Sequence, residues 1–120
     1  MNDHKYKRGH VLVRSGPMPS TGASRLAAIS ALRSGAGAVT LASKTTALKV
    51  NASHLTSVML KEINTEDEFF NFAKQKKINV LIIGPGNGVD KKTKNMAIRA
   101  IKEEFGLILD ADGLLSLIHI

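Results

Sequence analysis

Val80-Leu81-Ile82-Ile83 is an unbroken apolar run, and Gly84-Pro85-Gly86-Asn87-Gly88 follows it at once. A strand that faced solvent on one side would alternate polar and apolar residues. This one does not, so it reads as buried on both faces, inside a parallel sheet covered by helices. The glycines after it permit backbone torsions and close approaches that other side chains forbid. Residues 10–14, 38–42, 57–63 and 107–109 read as further strands. Between them lie helix-like segments. Residues 21–34 form one, with Ser20 or Thr21 as cap, Leu26, Ile29 and Leu32 recurring on it, and Gly35 and Gly37 ending it. Residues 45–53 read as a short helix. Thr65-Glu66-Asp67-Glu68 matches a capping box, in which the Thr65 hydroxyl bonds the Glu68 backbone and Glu68 reaches back. Phe69, Phe72 and Ala73 give that helix its apolar face. Asp90 is placed to cap the last helix, on which Ala97, Ala100, Ile101 and Phe105 share a face. Strand, turn and helix in repetition predict the α/β class: three αβα layers around a mostly parallel sheet, with residues 80–83 central and 107–109 next to or near them. There is no internal repeat or linker, so residues 1–120 read as part of one domain.

Composition narrows the function classes. Hydrophobic residues make up 43% and charged residues 22%, which is globular usage. There is no cysteine, so neither a disulfide scaffold nor a thiolate metal site is available. The formal charge of +7 raises nucleic acid as a partner. Against it, the lysines and arginines are scattered and aromatics are only 4%, too few to stack bases. A basic surface suits small anionic ligands equally well. No apolar run approaches the roughly 20 residues of a membrane span, so no membrane association is expected. The polar first ten residues do not resemble a secretion signal, and the cytoplasm is the expected location. His4, His10, His54 and His119 lack metal-ligand spacing and read as structural or surface residues. Met18, Met59 and Met96 read as core or loop fillers.

Three loops carry what chemistry the sequence shows, and each follows a strand, where ligands of open α/β sheets bind. In the first, Gly22 and Ala23 open a helix. Small residues there let an anion reach backbone N–H groups and the positive helix end, and ordinary capping explains them equally well. The second, residues 84–88, is neither a P-loop nor a dinucleotide fingerprint, since no Gly-Lys-Ser/Thr follows and the glycine spacing differs. Either a ligand approach or a plain tight turn accounts for it. The third carries Asp110 and Asp112, which suit Mg2+ through water, or helix capping.

Several stretches together resemble one family. His4-Lys5-Tyr6-Lys7-Arg8-Gly9-His10-Val11-Leu12-Val13 is similar to the opening of the NAD(P)H-hydrate dehydratase domain, a branch of the ribokinase-like superfamily. Thr21-Gly22-Ala23-Ser24-Arg25-Leu26-Ala27-Ala28 through Ala31-Leu32-Arg33-Ser34-Gly35-Ala36-Gly37-Ala38-Val39-Thr40 resembles its most recognisable segment. Leu55-Thr56-Ser57-Val58-Met59, Ile83-Gly84-Pro85-Gly86 and Leu109-Asp110-Ala111-Asp112-Gly113-Leu114 follow in the family's order. The resemblance implies a ribokinase-like fold and a lyase of nucleotide repair. Such an enzyme phosphorylates the hydroxyl of hydrated NADH or NADPH at the expense of ATP or ADP with Mg2+, then eliminates phosphate. It further implies that Gly22, Ala23, Gly84, Gly86, Asp110 and Asp112 line the site for NAD(P)H hydrate.

The departures are as informative as the match. The family usually has Gly-Gly after the first strand, where this chain has Arg14-Ser15-Gly16, and a small or apolar residue where it has Asn87. The family's Pro-His-x-Gly-Glu segment, lysine-containing nucleotide loop and Gly-Thr-Gly-Asp turn, which carries the anion hole and catalytic aspartate, do not occur in these 120 residues. No catalytic residue is therefore assigned. The chain is expected to be the N-terminal portion of the domain and inactive alone, its sheet truncated and residues 114–120 left apolar. A homo-oligomer or a separately encoded second half is the expected partner. The alternatives are a ribokinase-like small-molecule kinase, which the segment 21–40 disfavours, and a non-catalytic half that works only with its complement.

Overall fold

The computed structural model describes residues 9–16, 21–54, 57–84 and 91–109. Strands β1 (His10–Arg14), β2 (Ala38–Ser43), β3 (Met59–Glu62), β4 (Val80–Ile83) and β5 (Gly106–Leu109) alternate with helices α1 (Gly22–Arg33), α2 (Thr45–His54), α3 (Glu66–Gln75) and α4 (Lys91–Lys102). The strands form one sheet in the order β3-β2-β1-β4-β5, and every pairing is parallel. The apolar run of β4 lies between β1 and β5, paired from Val80–Gly106 to Ile83–Leu109. After β3 the chain crosses back over the sheet to β4. The order of winding therefore reverses between β1 and β4.

Side-chain alternation explains why β4 tolerates no polar residue. Leu81 and Ile83 join Leu12 and Ala42 under Phe69, Phe70, Ala73, Met96 and Ala100 on the α3/α4 face. Ile82 points the other way, to Val13, Val39, Leu41 and Ala28 beneath α1. Each fully buried side chain of this size contributes about 1.5–3 kcal/mol relative to exposure. The Phe69 and Phe70 rings meet edge-on at 5.3 Å.

Several local expectations are corrected. Leu26 is 68% exposed, while Ala28 is the fully buried hydrophobic residue of α1. An α-helix turns about 100° per residue, so a three-residue spacing lags about 60° at each step, and Leu26 and Leu32 cannot share a stripe. Ile101 is likewise 58% exposed, roughly a quarter turn from the buried arc of Thr93, Met96, Ala97 and Ala100. β3 is shorter than residues 57–63, and Met59 on this edge strand is exposed instead of filling the core, which Met96 does. Thr21 precedes α1, but its hydroxyl makes no cap bond; it accepts from Arg25 Nη1 at 2.7 Å. Thr65 does cap α3, accepting from Glu68 N at 3.1 Å. The reciprocal half of the box is a side-chain contact, with Thr65 Oγ1 donating to Glu68 Oε1 at 3.2 Å. Gly35 at φ 109° supplies the left-handed residue that ends α1. The caps expected at Ser20 and Asp90, and the filler Met18, lie outside the described residues. Among the described residues, no helix is long and apolar enough to cross a membrane.

A charged cluster ties α4 to α3. Arg99 Nη1 donates to Glu66 at 3.0 Å and Asp67 at 2.8 Å, its Nε bonds Glu103 at 2.5 Å, and its guanidinium lies 4.5 Å from the Phe70 ring centre. Lys74 Nζ reaches the other Glu103 oxygen at 2.5 Å. Lys74 and Arg99 hold the Glu103 carboxyl below its ordinary value of 4.5. A lowered folded-state pKa stabilises the fold above the unfolded value, and that stabilisation is lost as pH falls through the folded value. Glu103→Gln is therefore expected to unfold more easily than wild type at neutral pH, by about 1 kcal/mol. Denaturant titrations at descending pH should show the difference shrinking below pH 4.5. A pH-independent difference would mean that the charge is not what Glu103 contributes.

Candidate functional site

In a parallel sheet every strand delivers its carboxyl end, and the helix that follows delivers its N-terminus, to the same edge. Here that edge collects Arg14-Ser15-Gly16 after β1, Lys44 after β2, Asn64 and Thr65 after β3 and Gly84 after β4, with the first turns of α1, α3 and α4. The reversal of winding between β1 and β4 opens a crevice there, where neighbouring connections depart to opposite faces.

Three of the residues expected at the site stand on this edge. Ala23 is exposed in the first turn of α1. A Cβ on Gly22 would meet only Arg25 Nη2, at 3.8 Å, so packing does not require glycine there. Gly84 is buried at φ 127°, a torsion that strains any side chain, so the end of β4 does require glycine. Gly86, Asp110 and Asp112 lie outside the described residues. Of the histidines, His10 is structural: buried, with Nε2 2.8 Å from Thr40 Oγ1 and its backbone N–H donating to Asn79 Oδ1 at 2.7 Å. The backbone of His54 ends α2, and His4 and His119 lie outside the described residues. Among the described residues, no group of three His, Asp or Glu side chains could hold a metal. The two carboxylates expected to suit Mg2+, Asp110 and Asp112, lie outside those residues.

Sequence inspection passed over the residue that organises this edge. Asn51 of α2 is fully buried. Its Nδ2 donates to Ser15 Oγ and to Ser43 Oγ, both at 2.9 Å, and its Oδ1 accepts from Arg25 Nη1 at 3.0 Å. Ser15 N also donates to Ala42 O at 2.8 Å, and Gly16 N donates to the buried Ser24 Oγ at 2.7 Å. The segment leaving β1 is thus tied to β2, to α2 and to the start of α1 before it reaches the loop. An Asn on a helix gives no periodic signal, and only the three-dimensional convergence of two serines and an arginine reveals its role.

On the α3/α4 face, the same edge encloses a cavity of about 360 Å3. Ala42, Ile63, Phe69 and Met96 supply its apolar lining, and Arg14, Lys44 and Lys92 its positive charge. Arg14 is positioned by Thr93, whose Oγ1 accepts from Nη1 at 3.3 Å.

Comparison with known proteins agrees with this architecture. Residues 11–119 match the family model described as NAD(P)H-hydrate dehydratase. The bifunctional NAD(P)H-hydrate repair enzyme of Coxiella burnetii is 32% identical over 111 residues, covering 92% of this chain and 22% of that protein. The ADP-dependent (S)-NAD(P)H-hydrate dehydratase of Streptococcus thermophilus is 30% identical over 115 residues, covering 92% of this chain and 40% of that protein. The chain thus spans between about a fifth and two fifths of these relatives' length. Among solved structures, a ribokinase-like superfamily protein of Enterococcus faecalis superposes with a TM-score of 0.74 at 20% identity, covering 94% of this chain and 40% of that one. The order of strands, the glycine at the end of β4 and a family match over residues 11–119 converge: this chain belongs to the NAD(P)H-hydrate dehydratase family, on a ribokinase-like fold.

Proposed function

We propose that this chain supplies the part of an ADP- or ATP-dependent NAD(P)H-hydrate dehydratase that cradles the hydrated dinucleotide. The observation that carries the reading is Ala23, exposed in the first turn of α1, at the edge where β4 ends in the left-handed Gly84, within the stretch that matches the family. The positive end of a helix favours an anion there. At its left-handed torsion Gly84 carries no side chain, so backbone beside β1 can approach a ligand. When bound, ATP or ADP with Mg2+ supplies the phosphoryl group that turns the hydrate's hydroxyl into a leaving group. The residues of this chain bind and orient the substrate. Gly86, Asp110 and Asp112 complete the cradle. The groups that assist phosphoryl transfer lie outside these 120 residues, in the same polypeptide, a complementing chain or another subunit of an oligomer. The proposed place of action is the cytoplasm.

Ala23→Leu tests the cradle. Ala23 is exposed, and leucine is nearly as good a helix former as alanine, so thermal unfolding should stay within a few degrees of wild type. Calorimetric titration with NADH hydrate should show affinity lower by about tenfold or more, because the side chain fills the space an anion needs over the first turn. Unchanged affinity in a folded variant would remove Ala23 from the site.

A further inference from the structure

The cavity on the α3/α4 face takes no part in the cradle described above, and its chemistry is distinctive. Three cations from three different elements converge on it: Arg14 at the end of β1, Lys44 just after β2 and Lys92 in the first turn of α4. Glu66 also lines it, but its carboxylate is engaged by Arg99 at 3.0 Å. Among the described residues that line it, positive charge is in excess. Lys44 and Lys92 are exposed, so their ammonium groups can move toward a ligand, whereas Arg14 is oriented by Thr93. Beneath them, Ile63, Phe69 and Met96 present an apolar surface. A volume of about 360 Å3 is that of a small-molecule site, large enough for part of a nucleotide and too confined for a nucleic-acid strand.

We infer that this cavity is a subsite for the pyrophosphate of a nucleotide, with Arg14, Lys44 and Lys92 meeting the anion and the Ile63/Phe69/Met96 surface meeting the organic part. Arginine presents a planar fork suited to phosphate oxygens, and the two lysines add mobile point charges. The inference rests on the dehydratase reading only for the source of the pyrophosphate, either the hydrated dinucleotide or the nucleoside diphosphate that drives the reaction.

The test is a titration of the intact chain with inorganic pyrophosphate, and in parallel with NADH and with ADP. Lys44→Ala/Lys92→Ala is the test variant, and Lys76→Ala/Lys102→Ala removes the same charge at exposed positions outside the cavity. All four lysines are exposed, and thermal unfolding confirms that both variants fold. The expected result is pyrophosphate binding that weakens with ionic strength, falls by about tenfold or more in Lys44→Ala/Lys92→Ala and is nearly unchanged in the control. Amide shifts should move at Lys44, Asn64, Thr65 and Lys92. The nucleotide that loses the same factor is the source of the pyrophosphate. No pyrophosphate binding by wild type, equal binding by both variants, or shifts confined to other residues would overturn the subsite. Pyrophosphate binding that depends on the two lysines, without NADH or ADP binding, would keep the subsite and remove the dehydratase reading. NADH and ADP binding that both ignore the lysines would do the reverse.

Discussion

Purified as these 120 residues, the protein is expected to restore no NADH from its hydrate, with ATP or with ADP. Phosphoryl transfer is mostly positioning and stabilisation of charge on the transferred group, so its rate follows the donors aimed at that group. The family resemblance assigns those donors to a Gly-Thr-Gly-Asp turn, a Pro-His-x-Gly-Glu segment and a lysine-containing loop, and none occurs in this sequence. Asp110 and Asp112 cannot substitute, because a carboxylate repels phosphate unless a metal intervenes. Loss of anion-hole donors costs about 10²–10³ in rate, and loss of a general base costs a further 10²–10⁴ or so. A drop of at least about 10³ from a full-length relative is therefore expected. Regenerated NADH absorbs near-ultraviolet light and its hydrate does not, so the assay is direct. Turnover within about tenfold of a full-length relative would place the catalytic groups among these residues after all.

The second large effect is expected at Asn51. Leucine has the same branched arrangement of heavy atoms, but it cannot donate to Ser15 and Ser43 or accept from Arg25. Each buried polar group left without its partner costs about 1–3 kcal/mol, and a charged one costs more. Part of this is recovered as the serine hydroxyls rotate and Arg25 keeps its bond to Thr21. We expect Asn51→Leu to lose on the order of 3 kcal/mol, a fall of roughly 12 °C in Tm for a chain of this length. Ser43→Ala combined with Asn51→Leu should cost less than the sum of the two, because both remove the same bond, and a coupling of about 0.5–3 kcal/mol is expected. Strict additivity, or a loss below about 1 kcal/mol, would mean that the network is not what holds the segment after β1.

How far the sequence reveals this architecture depends on the kind of signal each element carries. The unbroken run of β4 has one reading, and its parallel pairing with residues 107–109 follows from the helix between them. The Thr65 cap is local chemistry within four residues and is equally legible. Leu26 and Ile101 misled because composition alone does not say which arc of a helix meets the sheet. Alanines at 28, 97 and 100 occupy that arc, where small side chains let helix and sheet approach. Gly22, Ala23 and Gly84 are visible as glycine or small residues next to strand ends. Asn51, Lys44 and Lys92 are not, because their meaning arises only when segments distant in sequence converge. The departure Arg14-Ser15-Gly16 was visible, but its destination, a cavity wall shared with α4, was not.

The strand order also sets a timetable for synthesis on the ribosome. β1 is the first of the described strands to be made, and it occupies the middle of the five-stranded sheet that they form. One of its edges can pair as soon as Ala38–Ser43 has emerged, but the other waits for Val80–Ile83, since Val13 pairs with Ile82. Roughly 40 residues separate these events, about 2–8 s at a typical 5–20 residues per second. Through that interval the nascent chain presents an open strand, Val11-Leu12-Val13, to whatever is nearby. Non-local parallel pairing is slow even after its partner arrives, because the intervening loop must first be closed. Yield in cells should therefore respond to translation speed and chaperone supply more than to the stability of the finished sheet.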